Sequence, residues 1–141
     1  MGRCDVKVKH IAKCAIIGLL AWTSLTTWAS ASLQCDVSYA GTTYKLNAKP
    51  ALDVYDVQPI DIGGRFFFKM ILTEMNHKLD QVLIYVYLDQ TPRPILLQQS
   101  KYKGPFPQDL RLFSLTGQQH LYGGPVEREL IYSCWLSTST P

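Results

Sequence analysis

The sequence predicts an antiparallel β-sandwich of about seven strands, with a partly open β-barrel as the alternative. After residue 31, short segments alternate apolar and polar residues and are separated by turns rich in glycine and proline. None of these segments keeps the period of an amphipathic helix for more than a turn or two. The chain has 141 residues, a length that suits one domain with one hydrophobic core.

Residues 1–31 are typical of a secretory signal peptide. Four basic residues stand against Asp5 in the first part, an apolar run follows over 14–25, and Ala29-Ser30-Ala31 ends the segment with small residues. We expect cleavage before Ser32, so that the protein works in the periplasm or outside the cell. Retention as a membrane anchor is the alternative, but the apolar run is shorter than the about 20 residues that span a bilayer.

The net charge of +3 belongs entirely to this predicted signal peptide. Residues 1–31 hold four Lys and Arg against one Asp, whereas the rest of the chain holds ten basic and ten acidic residues. A neutral domain lacks the excess positive charge that drives contact with phosphates. The sequence therefore predicts no nucleic-acid partner, and no membrane span once the signal peptide is removed.

The predicted domain, residues 32–136, begins with a β-hairpin. Its first strand places Leu33, Cys35, Val37 and Tyr39 on one face, and after Ala40-Gly41 the second strand repeats the pattern with Tyr44, Leu46 and Ala48. Alternation of this kind indicates strands with one buried face and one solvent face. Cys35 falls on the buried face.

The middle of the domain predicts two more strands. After Gly63-Gly64, residues 65–72 alternate with phenylalanines on one face, and the polar segment 74–80 is predicted to be a loop. Residues 82–89 are apolar or aromatic on both faces and rich in β-branched residues. This composition favours a central strand.

The last third of the domain is less regular. Pro92 and Pro94 end the central strand, residues 95–102 predict a strand near an edge, and 103–109 predict a loop. A weaker apolar stretch covers 110–115. The final strand is predicted over 126–136, and residues 137–141 have the composition of a disordered tail.

Cys35 and Cys134 are the two cysteines that remain after residue 31, and we expect them to form a disulfide. They lie in the first and last predicted strands, which suggests a bond across the core. Tyr132-Ser133-Cys134 resembles the tyrosine two residues before the second cysteine of immunoglobulin domains. The cysteines are farther apart than in that family and no tryptophan follows the first at the expected place, so the resemblance implies sandwich architecture alone.

Known catalytic motifs are absent after residue 31. The sequence has no Gly-x-Ser elbow, and neither Gly-Gly pair continues as a phosphate-binding loop. Carboxylate pairs occur at Asp53 and Asp56 and at Glu127 and Glu129, but solvent-exposed charges on a loop or strand are the simpler interpretation. The sequence predicts a protein that is not an enzyme and needs no cofactor.

A copper-type carrier is the alternative function. Met75 and His77 lie two residues apart, and His120 is the one other histidine after residue 31. Thioether and imidazole groups are ligands that Cu(I) accepts. A polar hairpin loop explains the same residues without a metal, and this is the favoured interpretation.

Aromatic residues carry the leading hypothesis. Tyr85 and Tyr87 face away from the main apolar set of their strand, and Tyr102, Phe106 and Tyr122 lie in or beside loops rich in glycine and proline. Tyrosines suit half-hydrated interfaces, although cross-strand pairing or burial would also explain them. The sequence predicts a non-catalytic binding or accessory module whose aromatic loops and exposed sheet face hold another exported protein, a peptide or a glycan.

Overall fold

The computed structural model describes residues 31–107 and 112–138, which form two antiparallel four-stranded sheets and no helix. The chain forms two separate sheets, which confirms the predicted sandwich over the partly open barrel. The predicted signal peptide, apart from Ala31, lies outside the described residues. In the described ranges no helix is long and apolar enough to cross a membrane.

The first sheet joins the two ends of the domain. It contains β1 (Ala31–Tyr39), β2 (Thr42–Ala48), β7 (Phe113–Gly123) and β8 (Arg128–Thr138) in the order β2-β1-β8-β7. Two hairpins, β1–β2 and β7–β8, lie side by side because β1 pairs with β8 over its whole length, from Ala31 opposite Thr138 to Tyr39 opposite Leu130.

The second sheet is a simple meander. It contains β3 (Ile60–Ile62), β4 (Phe66–Met75), β5 (Lys78–Leu88) and β6 (Ile95–Lys103) in sequence order. The short β3 pairs with only the first part of β4, from Phe66 to Phe68. Farther along that edge, the backbone N–H of Ala51 donates to the carbonyl of Leu72 over 3.0 Å. The chain therefore changes sheets twice, between β2 and β3 and between β6 and β7.

The core lies between the two sheets and contains the alternating apolar residues that the sequence indicated. The ring of Phe68 meets the ring of Tyr132 edge to face, with centroids 5.1 Å apart, and both residues are almost fully buried. The Tyr132 hydroxyl donates to Oε1 of Gln98 on β6 over 2.8 Å. This bond satisfies a polar atom that burial would otherwise leave without a partner. Burial also raises the pKa of the Tyr132 phenol.

The predicted disulfide is confirmed, but its position differs from expectation. Cys35 and Cys134 face each other in the β1–β8 ladder, with Cα atoms 4.1 Å apart. The bond therefore joins neighbouring strands of one sheet instead of crossing the core between sheets. In immunoglobulin domains the corresponding bond links the two sheets, so the likeness ends at the sandwich architecture.

Three local expectations need correction. The segment predicted as a loop over 74–80 belongs to a tight hairpin, in which only Asn76 and His77, both with positive φ, separate β4 from β5. β7 runs to Gly123, well beyond the end of the apolar stretch at 110–115. β8 continues to Thr138, whose hydroxyl donates to the carbonyl of Pro107 over 2.8 Å, so the predicted tail begins inside the sheet.

Candidate functional site

The outer face of the second sheet is the most distinctive surface of the domain. Strand register places four cross-strand rows on it, and we call these residues the aromatic face: Phe67–Tyr87–Leu96, Lys69–Tyr85–Gln99, Ile71–Leu83–Lys101 and Thr73–Gln81–Lys103. The opposite face of the same strands fills the core, so the strand period of two determines which side chains stand here.

Two tyrosines form the centre of the aromatic face. The rings of Tyr85 and Tyr87 are 6.2 Å apart between centroids and lie within 14° of parallel. Both side chains are half-buried, and burial together with the neighbouring Tyr85 raises the pKa of Tyr87. The Tyr87 phenol therefore stays neutral at physiological pH. Each side chain has an apolar ring with a hydrogen-bonding hydroxyl at its tip.

A small pocket opens beside this pair. It has a volume of about 150 Å³ and is lined by Pro59, Phe67, Lys69, Tyr87 and Pro94. The two prolines immediately precede the edge strands β3 and β6. At these positions the missing N–H of proline removes no hydrogen bond between strands. This volume is similar to that of an apolar cavity that holds benzene, and Lys69 adds a charged group to the wall.

Positive charge surrounds the tyrosines. Lys69 lies directly across from Tyr85, while Lys101 and Lys103 continue along β6. The four rows contain no carboxylate. Asp61, which faces Phe67 from β3, uses its carboxylate to accept the backbone N–H of Gly64 over 2.8 Å. A domain that is neutral as a whole therefore has one locally basic aromatic surface.

The five predicted binding residues do not converge. Tyr85 and Tyr87 lie together on the aromatic face, whereas Tyr102, opposite Val82, packs partly buried against the core. Phe106 is only 8% exposed and belongs to the core. The adjacent Gly104 N–H donates to the carbonyl of Asp80 over 2.7 Å, which holds this segment against the start of β5. The prediction that Phe106 is a surface residue is therefore wrong.

Tyr122 lies on the other sheet in a polar cluster that the sequence did not reveal. Its hydroxyl donates to Oε1 of Glu129 over 2.8 Å, and Nδ1 of His120 lies 2.7 Å from the same oxygen. The contacts with His120 and Tyr122 hold the pKa of Glu129 below its ordinary 4.5. The cluster was missed because it depends on β7, whose polar end carries little strand signal.

This cluster predicts an acid-sensitive contribution to stability. Since the pKa of Glu129 is lowered in the folded protein, its contribution is present above the ordinary 4.5 and is lost as pH falls through the folded value. Glu129→Gln should therefore be less stable than wild type near neutral pH, and the difference should vanish in strong acid. Chemical denaturation across this pH range measures it. The control is Glu127→Gln in the adjacent turn, and a difference for Glu129→Gln that persists in acid would contradict the assignment.

The proposed metal ligands are not brought together. Met75 and His77 lie at the β4–β5 turn, with Met75 62% exposed. His120 lies on the outer face of the first sheet, near the β7–β8 turn. That turn shares a pocket with Arg65 at the start of β4, so it lies at the opposite end of the sandwich from His77. Among residues 31–107 and 112–138, no group of three or more His, Cys, Asp or Glu could hold a metal ion.

The chain matches no protein-family model, and no curated protein or solved structure is significantly similar to it. A function therefore has to be argued from the chemistry of the surfaces themselves. Of these, the aromatic face combines aromatic rings, a ring-sized pocket and more lysines than carboxylates on one sheet.

Proposed function

We propose that this protein is a non-catalytic binding module that holds an acidic polysaccharide on its aromatic face. The observation that carries the proposal is the parallel pair Tyr85 and Tyr87 beside the pocket of Phe67, with three lysines and no carboxylate in the same four rows. Flat rings and point charges on one surface suit a ligand that has both apolar faces and negative groups.

The tyrosine pair supplies the contact with sugar rings. The C–H groups of a pyranose form an apolar face that gains free energy when an aromatic ring covers it, while the hydroxyl groups at the rim stay hydrated. The pocket lined by Phe67 and Tyr87 accepts one such ring, and the spacing of 6.2 Å between tyrosine centroids extends the contact along the strand. The sheet holds these rings in place, so little ordering is needed on binding.

The lysines favour acidic sugars over neutral ones. Among the described residues Lys69, Lys101 and Lys103 form no ion pair, and an ammonium group binds a carboxylate as a point charge. Their contribution is screened by salt because the side chains are half-buried or exposed.

The disulfide supports a location where such polymers occur. Structural disulfides persist in oxidising compartments such as the periplasm and the cell exterior. The bond between Cys35 and Cys134 fits a protein outside the cytoplasm. Together with the expected signal peptide, this supports a periplasmic or secreted binding protein.

Binding should depend on the two tyrosines. Tyr85→Ala/Tyr87→Ala should weaken binding of polygalacturonate by about 5- to 150-fold, since each aromatic contact contributes about 0.5–1.5 kcal/mol beyond its buried area. The full chain is expressed, and calorimetric titration of the purified protein with polygalacturonate measures the effect. Tyr122→Ala, on the other sheet, is the matched control and should bind as wild type does.

Charge and ligand class are tested in the same titrations. Lys101→Gln/Lys103→Gln should weaken binding and flatten its dependence on salt concentration, whereas Lys45→Gln/Lys49→Gln, at the edge of the first sheet, should not. Dextran and single-stranded DNA serve as the neutral and the phosphate-bearing polymers. Failure of polygalacturonate to bind, or equally tight binding of the DNA, would contradict the proposal.

A further inference from the structure

A second cavity lies at one end of the sandwich, away from the aromatic face. It has a volume of about 280 Å³, and we call it the end pocket; it is lined by Arg65, Leu88, Asp89, Gln90, Gly123, Gly124, Pro125, Val126 and Arg128. Three chain segments from both sheets meet there: the start of β4, the end of β5 and the β7–β8 turn. The volume is close to the lower end of the range for small-molecule sites, about 300–1,000 Å³.

Two glycines allow these segments to approach. A Cβ atom on Gly123 would lie within 3.0 to 3.3 Å of the side chains of Leu97, Leu88 and Phe66. Gly63, at φ +61°, would place a Cβ atom 2.6 Å from the ring of Tyr39. A side chain at Gly63 would clash with Tyr39 and one at Gly123 would be tightly packed, so small residues let these turns pack closely onto the core.

The two arginines of the end pocket are anchored through their neighbours. Nη1 of Arg128 donates to the hydroxyl of Tyr39 over 2.6 Å, and the Tyr39 ring packs edge to face on Phe66 with centroids 5.2 Å apart. The carbonyl of Arg65 accepts the N–H of Asp89 over 2.8 Å, which holds the start of β4 beside the end of β5. The Arg128 guanidinium group is therefore held by Tyr39, whereas Arg65 is held through its backbone.

The charge of the end pocket is unbalanced. Asp89 is the one carboxylate among the lining residues, against the guanidinium groups of Arg65 and Arg128. In the described part of the chain neither arginine forms an ion pair. A cavity with a net positive charge and an apolar wall of Leu88, Pro125 and Val126 attracts an anion that also has an apolar part.

We propose that the end pocket binds a small organic monocarboxylate with an apolar body. A guanidinium group matches a carboxylate with two parallel N–H···O bonds, and two arginines line this pocket. Leu88 and Val126 would cover the apolar body. Asp89 limits the favourable ligand charge to one, because a dianion such as phosphate would be repelled by its carboxylate. This site is separate from the aromatic face and does not depend on the function proposed for that face.

The test expresses the full chain, purifies the protein and titrates it with hexanoate. Binding is followed by NMR or calorimetry. We expect saturable binding with one site per chain. Arg65→Gln and Arg128→Gln should each weaken it by about 10-fold or more, because hydrogen bonds to charged groups are among the stronger ones. Arg93→Gln, in the exposed loop between β5 and β6, is the matched control and should leave hexanoate binding unchanged.

Arg128→Gln also removes the bond to Tyr39, so its thermal stability is measured alongside binding. Arg65→Gln keeps the test decisive, since Arg65 is exposed and makes no hydrogen bond through its side chain among the described residues. Hexanol and inorganic phosphate serve as the neutral and the dianionic comparison, and both should bind more weakly than hexanoate. Lack of saturation with hexanoate, unchanged affinity in Arg65→Gln, or equal binding of hexanol or phosphate would overturn the proposal.

Discussion

Replacing both cysteines of the disulfide, Cys35→Ala/Cys134→Ala, is expected to lower the free energy of unfolding by about 4 to 5 kcal/mol. The bond closes a loop with a sequence separation of 99 residues, and in the chain-entropy model a loop of this length restricts the unfolded chain by that amount. The effect is large because a domain of this size has a total stability of only about 5 to 15 kcal/mol. Guanidinium denaturation followed by far-UV circular dichroism measures it.

Reduction of the disulfide in the wild-type protein provides the internal control for this prediction. Dithiothreitol should lower the denaturation midpoint of the wild-type protein to that of Cys35→Ala/Cys134→Ala, and it should leave the midpoint of the variant unchanged. We expect the β1–β8 ladder to keep its backbone hydrogen bonds in both cases, since it pairs over the whole length of β1. A loss below about 1 kcal/mol would show that the unfolded chain is already restricted by residual structure.

Phe68→Ala is expected to destabilise the domain by about 3 to 5 kcal/mol, whereas Phe67→Ala should cost about 1 kcal/mol or less. Phe68 is fully buried and packs edge to face on Tyr132, so its removal leaves a cavity between the sheets. Phe67 is half-buried on the aromatic face and lines the ring-sized pocket there. Adjacent residues of the same type thus differ only in the face of β4 on which they stand.

This pair tests the register of β4 and the function of its outer face together. Chemical denaturation gives the two stability changes, and titration with polygalacturonate gives the binding change. Phe67→Ala should weaken polysaccharide binding while it leaves most of the stability intact. Equal losses of stability in the two variants would contradict the assignment of Phe68 to the core and Phe67 to the surface.

Local alternation was sufficient to predict the faces of the strands. In β5, the buried set of Val82, Ile84, Val86 and Leu88 leaves Tyr85 and Tyr87 on the opposite side, as the structure confirms. This works because successive side chains of a strand point to opposite faces, so the pattern is determined within a few residues. The disulfide pairing was equally accessible, since only two cysteines remain after residue 31.

The same local patterns failed where burial depends on distant segments. Phe106 lies between two prolines, a context that predicts a surface loop, yet it is buried in the core formed by residues distant in sequence. The end of β7 carries polar residues at 118–120 and gives little strand signal, and its pairing with β8 provides the structure instead. An edge strand of this kind is defined by its partner more than by its own composition.

The candidate sites also differ in how much of each the sequence predicts. The sequence identified Tyr85 and Tyr87, but it gave no sign that Lys69 and Lys101 lie in adjacent rows, because that depends on the register of β4 and β6 against β5. No local pattern in the sequence indicates the end pocket. Arg65 and Arg128 are far apart in the chain and meet only because the two sheets pack together.

By itself, the sequence predicted an all-β domain with one disulfide, a sandwich with a partly open barrel as the alternative, and it predicted which side of each well-patterned strand is buried. These properties follow from a two-residue period and from the chemistry of single residue types. The tertiary structure alone decided that the disulfide lies within one sheet, that the aromatic face is basic, and that two arginines share a pocket. Each of these depends on strand order and register, which are fixed by contacts between residues distant in sequence and therefore leave no local pattern.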